Sequence, residues 1–509
     1  EECLWYDFNA GATSAGRNPP STLFNFPIVF FAMSSQASQN QPIISVSGLR
    51  GIIGDSLTPV IAARYVAAYS TWVMRNAGIS KGSAIPPGQR LKIIVARDGR
   101  DSGPMLIDCV VSTLNACGID ALIADIAATP TVGVLVNSLG AAGAVQISAS
   151  HNPPPYNGMK LFNADGRVIP ATSGQQVIDL YRNGEFDWRN HSELGGKQIL
   201  ADTTSAHLER VLSTVDVARI RQKKFRVVLD SNHASGSILG RQLLEALGCQ
   251  FTLVGDSPDG QFSHPPEPTV NNLAGVTKLA VENQAQAVFC QDPDADRLAI
   301  IDELGNYIGE EYTLAITLDH ALSQVAGTKF MAPVVTNCSS SRMTIDIANR
   351  YQTQCFLSKV GEANVTDLIL EKKAVYGGEG SGGPIDPRVG LVRDSFVGMA
   401  QTLDAMAATG KSISQIVASL PKYHINKTTV SLPEDTPRDE AVAQAFAKLE
   451  SHFAGQAISK QDGLRIDWPD AWLLVRPSNT EPIVRAVAEA SSPERAQQLC
   501  DEAAKVVES

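Results

Sequence analysis

Ser150, His151 and Asn152 set a hydroxyl, an imidazole and an amide side by side in SASHNPPPYNGMK (148–160), between an apolar run and three prolines. A buried strand ending in such a proline-braced turn would present Ser150 at its C-terminal edge, where open α/β sheets place their ligands. Ser150 is therefore a candidate nucleophile or phosphate carrier. A turn that merely ends a strand, with Asn152 and Asn157 serving its geometry, fits the same residues. A second group is less ambiguous: Asp292, Asp294 and Asp296 alternate in a loop flanked by VFC and LAII. Carboxylates drawn this close to a core edge repel one another unless a hard cation such as Mg²⁺ gathers their oxygens. Arg297 can pair with one of them or with a bound phosphate. The glycine and later Glu of a calcium-binding EF-hand are missing here.

Two further loops carry recognition chemistry. In GGEGSGG (377–383), glycines admit a ligand close to the backbone, and Glu379 and Ser381 offer an acceptor and a hydroxyl suited to sugar hydroxyls. A plain flexible turn explains that loop almost as well. In RPSNTEP (476–482), Arg476, Ser478, Asn479 and Thr480, with Arg485 beyond, gather two arginines, two hydroxyls and an amide. That set makes a cradle for a phosphate dianion, or else an Asn-turn with surface arginines.

The elements that must position these loops follow from length and pattern. At 509 residues the chain exceeds one ordinary core, and about 100–200 residues per domain implies three or four domains with a cleft between them. Its 44% hydrophobic and 19% charged composition supports full cores and excludes extensive disorder. A net charge of −11 leaves no basic footprint for nucleic acid. No apolar run reaches the roughly 20 residues needed to cross a membrane. Eight scattered cysteines without a Cys-x-x-Cys pair read as reduced thiols of a cytoplasmic protein. FPIVFFAM (26–33) resembles a signal core but follows Glu1, Glu2 and Asp7 rather than a basic region. Residues 1–40 are expected to be a leader or disordered tail.

From residue 41 the pattern is βα. IISVSGLRGIIG (43–54) holds a glycine-flanked Arg50, 57–77 has helical spacing, and LKIIVARDGR, ALIADIAATP and GAVQISAS are strands leading to Ser150. This predicts a mostly parallel, doubly covered sheet. The alternation restarts at FRVVLDSNHASG (225–236) and again near Gly309, closing at AVYGGEGSGG. After about residue 420 an alternating strand, an amphipathic helix, a hairpin and a closing helix indicate a smaller α+β domain. The expected division is 41–190, 191–305, 306–420 and 421–509.

The four loops together, in this order, resemble the α-D-phosphohexomutase family, which includes phosphoglucomutase, phosphomannomutase and phosphoglucosamine mutase. SASHNP with NGMK looks like its phosphoserine loop, DPDADR its metal loop, GEGSG its sugar loop and RPSNTEP its phosphate loop. The resemblance implies three similar mixed α/β domains and a smaller C-terminal α+β domain around a central cleft. Ser150 would be the phosphorylated serine, and Asp292, Asp294 and Asp296 would hold one Mg²⁺ per chain together with an oxygen of that phosphate. Arg50 and Lys160 match positions that assist proton and phosphate transfer, with His151 beside the nucleophile, and Arg297, next to the metal loop's carboxylates, is expected to join the catalytic set. Glu379 and Ser381 would hold sugar hydroxyls, and Arg476, Ser478, Asn479, Thr480 and Arg485 the non-reacting phosphate.

The implied reaction interconverts hexose 6-phosphate and hexose 1-phosphate through a bisphosphosugar that is both intermediate and activator, in a monomer or homodimer. SVSGLRG, KVGEA, GGEGSGG and RPSNTEP together look closest to an archaeal-type phosphoglucosamine mutase or phosphomannomutase subgroup, and the loop comparison puts glucosamine phosphate ahead of mannose and glucose phosphates. A phosphosugar-binding protein that has lost transfer and a metal-dependent phosphatase are the readings from other classes. Three departures stand out: Gly383 and Glu362 where some members have His, and Asp394-Ser395 where Asp-Gly is usual.

Overall fold

The computed structural model describes residues 41–46, 48–79, 88–433, 435–478 and 482–508. The leader expected at 1–40 lies outside these residues, as do Asn479 and Thr480.

The first sheet has seven strands, in spatial order Ile43–Ser45, Gly48–Ile52, Tyr156–Phe162, Gly143–Ile147, Lys92–Arg97, Asp120–Ile126 and Lys197–Ile199. Along Lys92–Arg97, Ile93 and Val95 enter one apolar cluster with the helices Pro59–Asn76 and Gly103–Ala116, while Ile94 and Ala96 enter another against the helix Thr129–Leu139. This is the two-residue period of a strand buried on both faces, and it explains the unbroken apolar run in the sequence. The sheet departs from the mostly parallel expectation on one side. Tyr156–Phe162 runs antiparallel to Gly143–Ile147, and Gly48–Ile52 and Ile43–Ser45 continue the antiparallel pairing. The connection 148–155 is too short for a parallel crossover, which needs a dozen or more residues. What the sequence suggests is a long turn is a loop followed by a strand, and that strand carries Lys160.

The second and third sheets repeat this device. Their spatial orders are Leu298–Ile301, Ala287–Gln291, Arg226–Asp230, Gln250–Val254 and Cys355–Ser358, Val334–Asn337, Tyr376–Glu379, Gly383–Ile385. In each, a strand of the parallel set folds back antiparallel through a short loop, 292–297 in one and 380–382 in the other. All three sheets thus place their polar loop at the turn of an equivalent hairpin, so the three domains are similar in architecture although their loop residues differ.

The helix Ser395–Thr409 is buried on nearly every side and joins the second and third sheets in one core containing Leu229, Phe289, Leu314, Val334 and Phe396. A helix apolar all round belongs in a large core rather than at a surface. Asp394 caps it, accepting hydrogen bonds from the amides of Phe396 and Val397. The sequence reading is silent on this helix, and on Thr129–Leu139 and Glu362–Lys372.

The C-terminal unit is an antiparallel five-stranded sheet, His424–Ser431, Ile483–Ala490, Ala471–Pro477, Leu464–Asp467 and Ala457–Ser459 in order, with helices Arg438–His452 and Pro493–Glu508. It has its own apolar cluster. A smaller cluster, with Trp472 and Leu474 against Cys338, joins it to the third sheet, and the Arg342 amide donates to Glu489 Oε1 at 2.8 Å.

Candidate active site

The loop bearing Ser150 is held by a residue whose role the sequence reading does not assign. Arg100 donates to the carbonyls of Ser150 (2.7 Å), Asn152 (2.6 Å), Pro153 (2.9 Å) and Tyr156 (3.0 Å), while its Nε bonds Asp98 Oδ2 at 3.0 Å. Ser148 Oγ donates to the same Asp98 oxygen and accepts from the Ser150 amide. This network holds Ser150 at φ 51°, a left-handed conformation that costs a non-glycine residue on the order of 1–3 kcal/mol. The Arg and Asp of ARDGR at a strand's C-terminal end are the only sequence signal for it.

Ser150 is 2% exposed, and its Oγ donates to Asp292 Oδ2 at 3.1 Å and lies 3.3 Å from His151 Nδ1. Burial, then the nearby Arg297 and Arg50 guanidinium groups, push the His151 imidazole down to about 4. At neutral pH this His is uncharged.

Asp292, Asp294 and Asp296 are fully buried, and each offers an oxygen within 4.8 Å of the others. Lys160 Nζ donates to Asp294 Oδ2 at 2.5 Å and to Asp296 Oδ2 at 2.8 Å, and Thr129 Oγ1 also donates to Asp294. Arg393 Nη2 donates to Asp296 Oδ2 at 2.7 Å. Burial and the neighbouring carboxylates push Asp292 well above the usual carboxylate range. For Asp296, burial acts in the same direction but is outweighed by Arg393, Lys160 and Arg297, so it sits far below that range. Buried Asp294 Oδ1 and Asp296 Oδ1 have no hydrogen-bond partner among the described residues. Orphaned carboxylate oxygens are expensive, and a hard divalent cation is the group this all-oxygen set fits.

A cavity of about 450 Å³ is lined by Arg50, Ser150, Lys160, Arg297, Glu379 and Ser381, while the three aspartates sit behind Ser150, Lys160 and Arg393 and, like His151, do not line it themselves. Six of the residues singled out by the sequence therefore share one space. Glu379 Oε1 accepts from Asn337 Nδ2 (2.7 Å) and the Gly361 amide (3.0 Å), and Oε2 from Arg393 Nη1 (2.8 Å). Ser381 Oγ is 3.4 Å from Arg393 Nη1. Glu362 lines the same cavity, and burial pushes its carboxyl up to about 7 despite Arg393 beside it.

The phosphate-loop residues lie elsewhere. Arg476 and Arg485 face each other in register on neighbouring strands. Arg476 pairs with Asp462 at 3.2 Å, Arg485 is exposed, and buried Ser478 donates its amide to the Ile483 carbonyl. Asp462 Oδ2 also accepts from the Val360 amide of the third domain at 2.8 Å. Among the described residues, the C-terminal unit contributes Lys427 to the cavity lining, while Arg476 and Ser478 stand outside it.

Comparison with known proteins accords with this geometry. Four family models match in order: phosphoglucomutase/phosphomannomutase alpha/beta/alpha domain I over residues 42–188, domain II over 205–305, domain III over 310–423, and the C-terminal domain over 430–506. A phosphoglucomutase/phosphomannomutase from Thermococcus kodakarensis is 33% identical, over 91% of this chain and 97% of its own length. A probable phosphoglucosamine mutase from Methanopyrus kandleri is 30% identical, over 91% and 96%. The crystal structure of a phosphoglucomutase/phosphomannomutase family protein from Burkholderia thailandensis has the same fold, with a TM-score of 0.77 at 24% identity over 92% of this chain and 97% of that one.

Proposed function

Because the chain belongs to the phosphoglucomutase/phosphomannomutase family, we propose that Ser150 carries a phosphoryl group between the two ends of a hexose phosphate, with glucosamine phosphate as the leading substrate. The protein is a phosphohexomutase, an isomerase interconverting hexose 6-phosphate and hexose 1-phosphate. One observation carries the assignment of Ser150: its hydroxyl lies 3.1 Å from a buried carboxylate cluster with orphaned oxygens, in the cavity that also holds the sugar loop.

Phosphoryl transfer needs charge neutralisation and in-line placement more than a strong nucleophile. Asp292, Asp294 and Asp296, with an oxygen of phosphorylated Ser150, would hold one Mg²⁺, which when bound supplies positive charge against the phosphoryl oxygens. Lys160, Arg50 and Arg297 line the same wall and bring further positive charge to the transferring group. As the bond from Ser150 Oγ to phosphorus breaks, a sugar hydroxyl forms the new bond, and the proton it loses ends on the departing Ser150 Oγ, which regenerates the free serine. The bisphosphosugar then turns within the site and returns its other phosphate to Ser150. Neutral His151 can accept a hydrogen bond at Nδ1 beside the serine. Glu379 and Ser381 would orient the sugar hydroxyls.

Arg476, Ser478, Asn479, Thr480 and Arg485 would take the phosphate that is not reacting. For that the C-terminal unit must bring them toward the cavity, a lid movement of the kind that often accompanies closure on substrate. Of the four glutamates lining the cavity, Glu362 and Glu379 pair with Arg393, and support for an amino sugar comes from the other two, Glu310 and Glu311, which burial holds above the usual carboxylate range. An ammonium at C2 would favour their ionised forms. Mannose and glucose phosphates are the alternative. A purely binding role is disfavoured by the intact serine, lysine and aspartate set, and a phosphatase by the serine in place of an Asp nucleophile.

We extend the reading to the division 41–190, 191–305, 306–420 and 421–509, and to a cytoplasmic monomer or homodimer; the seven described cysteines are free thiols, which supports a reducing compartment. The test is a panel of glucosamine, mannose and glucose 6-phosphates, each assayed for its 1-phosphate with a trace of bisphosphate. Fastest turnover of the glucosamine compound is expected. Turnover of none would overturn the assignment, and faster release of free phosphate than of isomer would favour a phosphatase.

A further inference from the structure

Gly383 stands where a histidine occurs in some members of the family, and another residue fills the space. A Cβ built on Gly383 would lie 2.5 Å from Cδ, 2.8 Å from Cγ and 2.9 Å from Cβ of Arg393. The clash is with the whole stem of that side chain, so any larger residue at 383 would displace it. From this slot the Arg393 guanidinium reaches Asp296 Oδ2 at 2.7 Å with one terminal nitrogen and Glu379 Oε2 at 2.8 Å with the other, which also lies 3.4 Å from Ser381 Oγ. Its backbone amide donates to Glu362 Oε1 at 2.9 Å.

The base from which Arg393 projects is itself fixed. Asp394 caps the central helix and donates its amide to the Pro384 carbonyl at 2.9 Å. Ser395 Oγ donates to the Ala295 carbonyl at 2.7 Å and accepts from Gln291 Nε2 at 2.8 Å. Ala295 is the metal-loop residue at φ 54°, so the hydroxyl that replaces the usual glycine pins the strained turn of that loop.

Resting on the phosphohexomutase reading above, we propose that Arg393 is a positioning residue that locks the metal-loop Asp296 and the sugar-loop Glu379 into one geometry, with Gly383 the residue that admits it. A planar fork can bridge two carboxylates where a lysine point charge cannot. The guanidinium therefore couples where the sugar sits to where the phosphoryl group is transferred, although it belongs to neither loop.

The test uses Arg393→Met, Arg393→Lys, Gly383→Ala and the Gly383→Ala/Arg393→Met double variant, read by turnover and by Mn²⁺ binding in electron paramagnetic resonance. Arg393→Met should lower kcat by about 100-fold, the scale of an ångström-sized misplacement. It should also bind Mn²⁺ about 3-fold more tightly or better, because a cation beside a ligand carboxylate has been removed. A merely structural role would instead weaken metal binding together with activity. Gly383→Ala should lose about 10-fold or more in kcat, and the double variant should match Arg393→Met within about 3-fold. Near wild-type kcat in Arg393→Met, weakened Mn²⁺ binding, or multiplicative losses in the double variant would each overturn the proposal. If Arg393→Met does not fold, Arg393→Lys carries the test: about 10-fold loss of kcat with Mn²⁺ binding kept is expected, and full activity would refute it. If the wild-type protein turns over none of the sugar phosphates, the activity reading fails on its own and the Mn²⁺ comparison alone decides the role of Arg393.

Discussion

The transfer centre and the phosphate loop of the C-terminal unit differ in how much of their geometry exists before a sugar arrives. Around Ser150, the aspartates are fully buried, Lys160 bridges Asp294 and Asp296 at 2.5 and 2.8 Å, Arg393 holds Asp296 at 2.7 Å, and three sheets contribute to one cavity. At the phosphate loop, the Arg476 side chain is 39% exposed and leans on Asp462, and its strand neighbour Arg485 is exposed. A buried, crosslinked charge cluster is costly to disturb, whereas a half-buried ion pair such as Arg476–Asp462 is worth less and can be exchanged for a phosphate. The difference fits the chemistry. Transfer needs fixed atoms, while the non-reacting phosphate arrives from either end of the sugar and needs a generic, movable cradle.

Substitutions can break this comparison, the largest effect first. Asp296→Asn removes a charge that Lys160 and Arg393 both contact, so turnover should fall by about 100-fold or more, with Mn²⁺ binding lost in the same resonance experiment. Retained Mn²⁺ affinity would mean the cluster is not the metal site. Arg476→Ala should act differently, raising KM for the 6-phosphate by about 10–100-fold, the worth of a charge-assisted hydrogen bond, with kcat and Mn²⁺ affinity much less affected. A fall in kcat with unchanged KM would place Arg476 in the transfer centre and erase the distinction.

The smallest effect is a pH slope. The Glu362 carboxyl is raised by burial from 4.5 to about 7. Between those values the unfolded chain has released its proton while the folded protein keeps it, so this group's contribution is full below about pH 4.5 and lost as pH rises through about 7. Melting temperatures of wild type and Glu362→Gln should therefore diverge across that window, with wild type losing ground as pH rises. Parallel curves would show that Glu362 titrates as an ordinary exposed carboxylate.

The loops were legible in the sequence because their chemistry is local: alternating carboxylates, a serine after a buried run, glycines around Glu379 and paired arginines all declare themselves within a few residues. Arg393 was not, since it meets Asp296 and Glu379 only after the second and third sheets have packed together, and the Asp394-Ser395 pair beside it marks a departure at that position without assigning the arginine a partner. Lys160 stands out in the sequence but reads as part of a turn, because the antiparallel strand Tyr156–Phe162, with one glycine and one lysine, lacks a clear two-residue alternation. The equivalence of the three hairpins was also hidden, as the fold repeats backbone geometry while each loop keeps different residues. Nor does any local pattern reveal that Arg476 lies outside the cavity, since that depends on how the C-terminal unit docks through Trp472 and Glu489.

Whether Ser150 is a reusable phosphate carrier is read by denaturing intact-mass measurement after incubation with a hexose 1,6-bisphosphate, for the wild-type protein and for Ser150→Ala. The wild-type chain should gain one phosphoryl group, mapped to Ser150 and discharged by hexose 6-phosphate, and the variant none. An unmodified wild-type chain, or an adduct that persists in Ser150→Ala, would contradict that role.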